Sequence, residues 1–279
     1  MDRVKIAAIG CGYWGPNLIR NIVEIPSASL EAVADLDQAR LDHIKTRYPS
    51  IQLATTNYTD LFDLDLDAVV VSTPPATHFE LVRACLEQGL HVLVEKPLTT
   101  SSLHARSLVE LAEERDRILM VGHTFEYNPA VHMLRDMIAD GELGDIHYVD
   151  AIRVGLGLFQ AKMNVLWDLA PHDISILLHI LGEAPVTVST TAAAYVQESV
   201  EDVAYMTLCF GSGIIAHTRM SWLDPCKTRR ITVVGSKKMV VYDDVESFEK
   251  IKVYEKSVNP IRHTDTFGEF HFDYHHGNV

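Results

Sequence analysis

The feature that most narrows what this chain can become lies at its start. Val4-Lys5-Ile6-Ala7-Ala8-Ile9 is a short apolar run, and Gly10-Cys11-Gly12-Tyr13-Trp14-Gly15 follows it at once. Such a run predicts a strand buried in a parallel sheet, and G-x-G-x-x-G directly after it predicts a turn into a helix. Pro16 suits the first turn of that helix, where the N–H it lacks has no intrahelical partner. Gly10 permits the tight turn, Gly12 lets a pyrophosphate approach the backbone, and Gly15 lets helix and strand pack closely. The helix N-terminus adds orphan N–H groups and the positive end of its dipole.

A second apolar run, Leu30–Ala34, ends in Asp35, about twenty residues beyond the glycines, where dinucleotide-binding chains carry an acidic residue. A carboxylate there can accept both ribose hydroxyls of an adenosine and repels a 2′-phosphate. The expected cofactor is therefore NAD rather than NADP. Asp37 is a near neighbour that could share or take over the role, and a solvated loop Asp after an ordinary strand is the plainer alternative.

Strand–helix alternation continues to about residue 122. Helices are expected over Leu36–Tyr48, Thr77–Gln88 and from Ser101/Ser102 to Arg115, with strands at Ala68–Val71, His91–Val94 and Ile118–Val121. Strands alternating with helices of this length predict a doubly wound parallel sheet. Residues 1–122 thus read as a Rossmann-type dinucleotide-binding domain, with ligands at the carboxyl ends of its strands. Three loops matter there: Gly10–Gly15, Ser72–Pro75 and Glu95–Pro97. After Gly122 the pattern changes. A helix over Pro129–Asp140 and a strand over Ile146–Arg153 precede the helical segment Trp167–Leu178. From Val186 strands follow one another, with hairpin signals at Gly211-Ser212-Gly213 and Gly235-Ser236. Residues 123–279 are expected to form a second, α+β domain: an open, mostly antiparallel sheet with helices on one face. The fold class is α/β.

The formal charge of −14 argues against nucleic-acid or anionic-membrane partners but leaves room for one diphosphate bound locally. Cys11, Cys85, Cys209 and Cys226 are scattered without a C-x-x-C pair, which fits reduced thiols and a cytoplasmic location. No apolar run approaches a membrane span, and the first apolar run is too short for a signal peptide. His271, His275 and His276 resemble a metal cluster by composition only, without companion ligand spacing, and no metal is expected.

Gly10–Asn17, Glu95-Lys96-Pro97 and Asp168-x-x-x-His172, in this order and spacing, resemble the Gfo/Idh/MocA oxidoreductase family across essentially the whole chain. Trp14–Asn17, Gly122–Pro129 and Trp167–Ile176 further resemble its branch acting on nucleotide-linked sugars of the UDP-N-acetylhexosamine type. The resemblance implies a catalytic set of Lys96, Asp168 and His172. It places Tyr13, Trp14, Ser72, Thr73, Pro74, His78 and Glu95, with Lys96, along the cofactor, and Asn128 near the substrate with Lys96 and His172. It also implies a homodimer or homotetramer formed through the second domain's sheet. Relatives continue beyond the strand resembling His271–Val279, so a shortened second domain is expected.

The residues themselves suit such chemistry. Oxidising a secondary alcohol needs a base for the hydroxyl proton, and a histidine titrates near working pH. Asp168 and His172 are four apart, so on a helix they share a face, where the carboxylate can orient the ring and favour its charged form. Lys96 could stabilise developing alkoxide at the same oxygen. Plainer roles stand beside these: Asp168 as a helix N-cap with Pro171 in the first turn, His172 as a satisfied partly buried histidine, and Lys96 as a surface lysine. Asp173 reads as a charge complementing the helix dipole. Arg153 could meet a substrate phosphate from its strand end, or be an ordinary surface arginine. The leading expectation is an NAD-dependent dehydrogenase of a ring alcohol on a sugar. The alternatives are a glycosidase that cycles bound NAD, and a catalytically silent dinucleotide-binding regulator.

Overall fold

The computed structural model describes residues 3–157, 159–160, 163–261 and 271–278, the side chains of 259–261 and 271–273 excepted. The chain divides into two compact units, residues 1–122 and 123–279.

In the first unit, β1 (Val4–Ile9), β2 (Ala28–Ala34), β3 (Leu53–Thr55), β4 (Ala68–Val71), β5 (His91–Val94) and β6 (Leu119–Val121) form a wholly parallel sheet in the order β3-β2-β1-β4-β5-β6. The order reverses between β1 and β4, which opens a crevice at their carboxyl ends. Successive residues of β1 point to opposite faces, as the period of a strand requires. Ala7 and Ile9 enter a core with Leu81, Val82 and Cys85 of α3 (His78–Glu87) and Leu108 of α4 (Ser102–Glu114). Ala8 enters another with Ile19 and Ile22 of α1 (Gly15–Glu24) and Leu41 and Ile44 of α2 (Gln38–Arg47). This two-sided burial is what the unbroken apolar runs foreshadow. Helix α2 starts later than its pattern suggests because Asp37 turns outward to cap it, accepting from Ala39 N–H.

In the second unit, α5 (Pro129–Ala139), β7 (Ile146–Leu156) and α6 (Val165–Leu181) precede β8 (Pro185–Ala193), β9 (Val203–Phe210), β10 (Ile215–Ser221), β11 (Leu223–Gly235), β12 (Met239–Asp243) and β13 (Ile251–Tyr254). The sheet order is β13-β12-β11-β7-β10-β9-β8. Every pairing is antiparallel except β7 with β10. A separate antiparallel pair, β14 (Lys256–Ile261) and β15 (His271–His276), follows. Inward residues of the large sheet, Val149, Ala151, Met206, Leu208 and Val233 among them, share one core with Leu134 of α5 and Ile176, Leu177 and Ile180 of α6. The opposite face leaves Tyr148, Tyr205 and Ile215 exposed.

Helix α6 corrects two readings of the sequence. It begins before Trp167, with Asn164 as its cap accepting from Trp167 N–H at 3.1 Å. Asp168 is therefore inside the helix and not its N-cap, and Pro171 lies within it. Asp173 stands mid-helix and buried, too far from the terminus to complement the dipole.

Candidate active site

In the first unit the glycines divide by what surrounds them. Gly10 has φ +99°, and a β-carbon on it would lie 2.7 Å from the Ser72 carbonyl oxygen. A β-carbon on Gly15, the first residue of α1, would lie 2.1 Å from the Gly10 carbonyl oxygen. Both positions are closed by backbone. At Gly12 a β-carbon would meet a single atom within 4 Å, Nη1 of Arg40 at 3.5 Å, so that backbone faces open space. This is the cradle a side chain would fill, at the mouth of a helix N-terminus. It fits the diphosphate of a dinucleotide. Cys11 between these glycines is buried, and burial with the Asp35 charge pushes its thiol up to about 12, so it is no nucleophile.

Asp35 is engaged more closely than its sequence position suggests. Its Oδ2 accepts Cys11 N–H at 2.6 Å and its Oδ1 accepts Asp37 N–H at 2.8 Å. The carboxylate thus pins the glycine turn to the end of β2, and only its remaining lone pairs face outward. Arg40 lies 3.8 Å from Asp35 and 3.4 Å from Asp37. Asp37 is spent on capping α2 and on this ion pair.

The three crevice loops are bonded to one another. Ser72 Oγ donates to the Gly10 carbonyl at 2.8 Å. Trp14, half exposed beside the largely exposed Tyr13, donates its indole N–H to the Glu95 carboxylate. Burial raises the Glu95 pKa, opposed by the Lys96 backbone N–H, the Lys96 charge and Trp14. Thr73 is half-buried and Pro74 exposed on the same rim, where Thr77 Oγ1 bonds Thr73 Oγ1 at 2.7 Å. Lys96 follows β5 and is partly buried. His78 has no exposed surface, and both of its ring nitrogens face backbone carbonyls. Its side chain lies behind the crevice wall, not along it.

In the second unit, α6 carries Asp168 and His172 one turn apart. The indole N–H of Trp222, buried at the end of β10, donates to Asp168 Oδ2 at 3.2 Å and fixes the carboxylate. The His172 ring meets Phe125 edge-to-face, with centroids 5.2 Å apart. On that same phenyl ring lies the Arg153 guanidinium, 4.7 Å from the centroid. Arg153 donates from Nε and Nη2 to Asp173 Oδ1 at 2.8 and 2.7 Å, both side chains being buried. This corrects the surface reading of Arg153. Its charge is committed to Asp173 inside the unit, and a substrate phosphate is not what it meets. Asn128 caps α5 by accepting Ala130 N–H at 2.9 Å and donates to the Tyr242 hydroxyl at 3.2 Å. Burial and Asp244 hold that phenol above its ordinary range.

Sequence reasoning passed over Arg40, Phe125, Asp173 and Trp222. Arg40 carried a usable signal, a basic residue following the acidic end of β2. Trp222 and Phe125 carried none, because nothing in one sequence says which aromatic on a distant strand meets α6. Among the described residues no group of three or more histidine, cysteine or acidic side chains could hold a metal; the His271 side chain lies outside them. No described helix is long and apolar enough to cross a membrane.

Comparison with known proteins follows the same lines. Residues 4–123 match the model of the oxidoreductase family with an NAD-binding Rossmann fold, and residues 131–241 match the GFO/IDH/MocA C-terminal domain. The chain is 32% identical to UDP-N-acetylglucosamine 3-dehydrogenase of Acidithiobacillus ferrooxidans, over 83% of this chain and 72% of that one. It is 27% identical to myo-inositol 2-dehydrogenase of Thermotoga maritima, over 87% and 76%. It is 26% identical to the uncharacterized oxidoreductase YrbE of Bacillus subtilis, over 77% of this chain and 66% of that relative's length. The crystal structure of GenD2 from gentamicin A biosynthesis, in complex with NAD, superposes with a TM-score of 0.84 at 27% identity, covering 96% of this chain and 77% of that one. With glycine turn, crevice loops and both matched regions in agreement, this chain belongs to the NAD-binding Gfo/Idh/MocA family of oxidoreductases.

Proposed function

We propose that this chain oxidises or reduces a ring secondary alcohol of a sugar, in the leading reading a UDP-linked one, with Lys96, Asp168 and His172 as its working groups. The observation that carries the reading is the Asp168 carboxylate, held by the Trp222 indole on the helix turn that also presents His172. Bound NAD supplies the hydride acceptor. His172 takes the hydroxyl proton as the alcohol is oxidised, and returns it in the reverse direction. Asp168 favours the charged ring that results. Lys96 donates to the reacting oxygen and steadies its developing negative charge. The exposed face of the large sheet, with Tyr148, Tyr205 and Ile215, is the proposed contact of a homodimer or homotetramer.

A second substrate reading, a free polyol such as an inositol, gains from the burial of Arg153 against Asp173, which removes that guanidinium as a phosphate contact. A panel of UDP-sugars, free sugars and inositols, followed at the absorbance of reduced nicotinamide, tests both. Turnover of a sugar nucleotide alone supports the first reading, and turnover of free inositol alone the second. Product formation without net cofactor reduction would mark a glycosidase cycle, and dinucleotide binding without any turnover a silent regulator.

A further inference from the structure

We propose that His78 is a positioning residue, a strut inside the first unit that sets the turn carrying Lys96 relative to the loop bordering the cofactor. The ring is fully buried at the start of α3 and so touches no ligand itself. Its Nδ1 lies 2.9 Å from the Pro97 carbonyl oxygen, and its Nε2 lies 2.8 Å from the Thr73 carbonyl oxygen. Each of these carbonyls sits next to a functional position: Pro97 follows Lys96, and Thr73 follows Ser72. A buried histidine that merely satisfied itself would have no reason to join two crevice loops. Here the ties close a ring. The glycine turn is held to Ser72 through the Gly10 carbonyl, His78 carries Thr73 across to Pro97, and Glu95 returns to the glycine turn through Trp14. Two carbonyls call for two N–H donors. A ring carrying both protons supplies both, whereas a ring carrying one sets its bare nitrogen against the other carbonyl. The consequence is that cofactor grip and the placing of Lys96 pass through one side chain.

The part of this inference that concerns turnover rests on the proposed role of Lys96; the part that concerns NAD does not. The test uses three variants of the full chain: His78→Leu, His78→Asn, whose amide nitrogen stands near Nδ1, and His78→Gln, whose amide nitrogen reaches toward Nε2. NAD affinity is measured by calorimetry, hydrogen–deuterium exchange is followed in peptides covering 72–78 and 95–101, and turnover is measured on the substrate found by the panel. In His78→Leu both peptides exchange faster, NAD affinity falls about tenfold, and turnover at saturating NAD falls about tenfold, the scale of one buried hydrogen bond lost at each loop. In His78→Gln affinity and the 72–78 peptide return toward wild type, while the 95–101 peptide and turnover do not. His78→Asn shows the reverse. This crossover distinguishes a two-ended strut from general destabilisation, which would move all readouts together and would overturn the inference. Wild-type affinity and exchange in His78→Leu would overturn it as well. If the wild-type protein turns over no alcohol in the panel, the reaction reading fails, and affinity and exchange still decide the role of His78.

Discussion

The glycine turn offers a pair of substitutions, chemically identical, whose outcomes should separate. A β-carbon on Gly12 would meet only Arg40 Nη1, at 3.5 Å, an ordinary contact that a half-exposed guanidinium can yield. Alanine there narrows the conformations open to the unfolded chain, a gain of ~0.4–1 kcal/mol where the backbone suits it. The methyl nevertheless occupies the face that the diphosphate must approach. Losing a hydrogen bond to a charged group costs about 1.5–3 kcal/mol, so NAD affinity should fall roughly tenfold to a hundredfold. Gly15→Ala reverses the pattern. Its β-carbon would stand 2.1 Å from the Gly10 carbonyl oxygen, well inside the 3.4 Å at which ordinary contact begins. To relieve this, α1 and the turn must part by about 1 Å, an overpacking cost of ~1–3 kcal/mol or more. The thermal midpoint should drop by roughly 3–10 °C. Differential scanning calorimetry without ligand and NAD titration read the two effects apart. Wild-type NAD affinity in a well-folded Gly12→Ala protein would refute the cradle, and an unchanged midpoint in Gly15→Ala would refute the close packing.

Trp222→Phe keeps most of the buried ring but deletes the N–H that holds Asp168; turnover should fall about tenfold with NAD affinity unchanged, and wild-type turnover would remove Asp168 from the working set. Asp35→Ala frees Cys11 N–H and leaves Arg40 less neutralised, so NAD should bind about tenfold more weakly while the NADP-to-NAD affinity ratio rises; an unchanged ratio would transfer the discrimination to Asp37. Burial raises the Glu95 pKa above its ordinary 4.5, so folding favours the protonated carboxyl. Its stabilising contribution is complete below that ordinary value and is lost as pH rises through the raised one. Glu95→Gln should therefore gain in thermal midpoint on the wild type from acid to neutral pH, and a pH-independent difference between their melting curves would contradict this.

The first unit was largely legible because its signals are local. β1 and β4 are short apolar runs between turn residues, and their burial on both faces follows from that pattern alone. The glycine turn, Ser101 as the cap of α4 and the hairpin of β9 and β10 were equally local. What the sequence concealed were relations across the chain. Asp35 announces a ribose contact, yet its nearest partner is Cys11 N–H, which becomes visible only when β1 and β2 lie side by side. Asn164 could have been read as a cap before Val165-Leu166, but the strong Asp168-x-x-x-His172 pattern drew the helix start toward itself. Arg153 alternates along β7 as a surface residue would; only the packing of α6 on that strand supplies Asp173 as its counter-charge. His78 reads as one more polar residue near the cofactor, and its two carbonyls lie on loops separated by a whole helix and strand.

The most direct test of the central claim is turnover of the panel's substrate by Lys96→Ala and His172→Ala, each measured with NAD affinity alongside. Removing a proton-transfer group or its electrostatic partner costs about a hundredfold or more, and neither change touches the glycine cradle. Both variants should bind NAD as the wild type does and reduce it at least about a hundredfold more slowly. Near-wild-type rates in either would contradict the assignment of this lysine and this histidine to the chemistry.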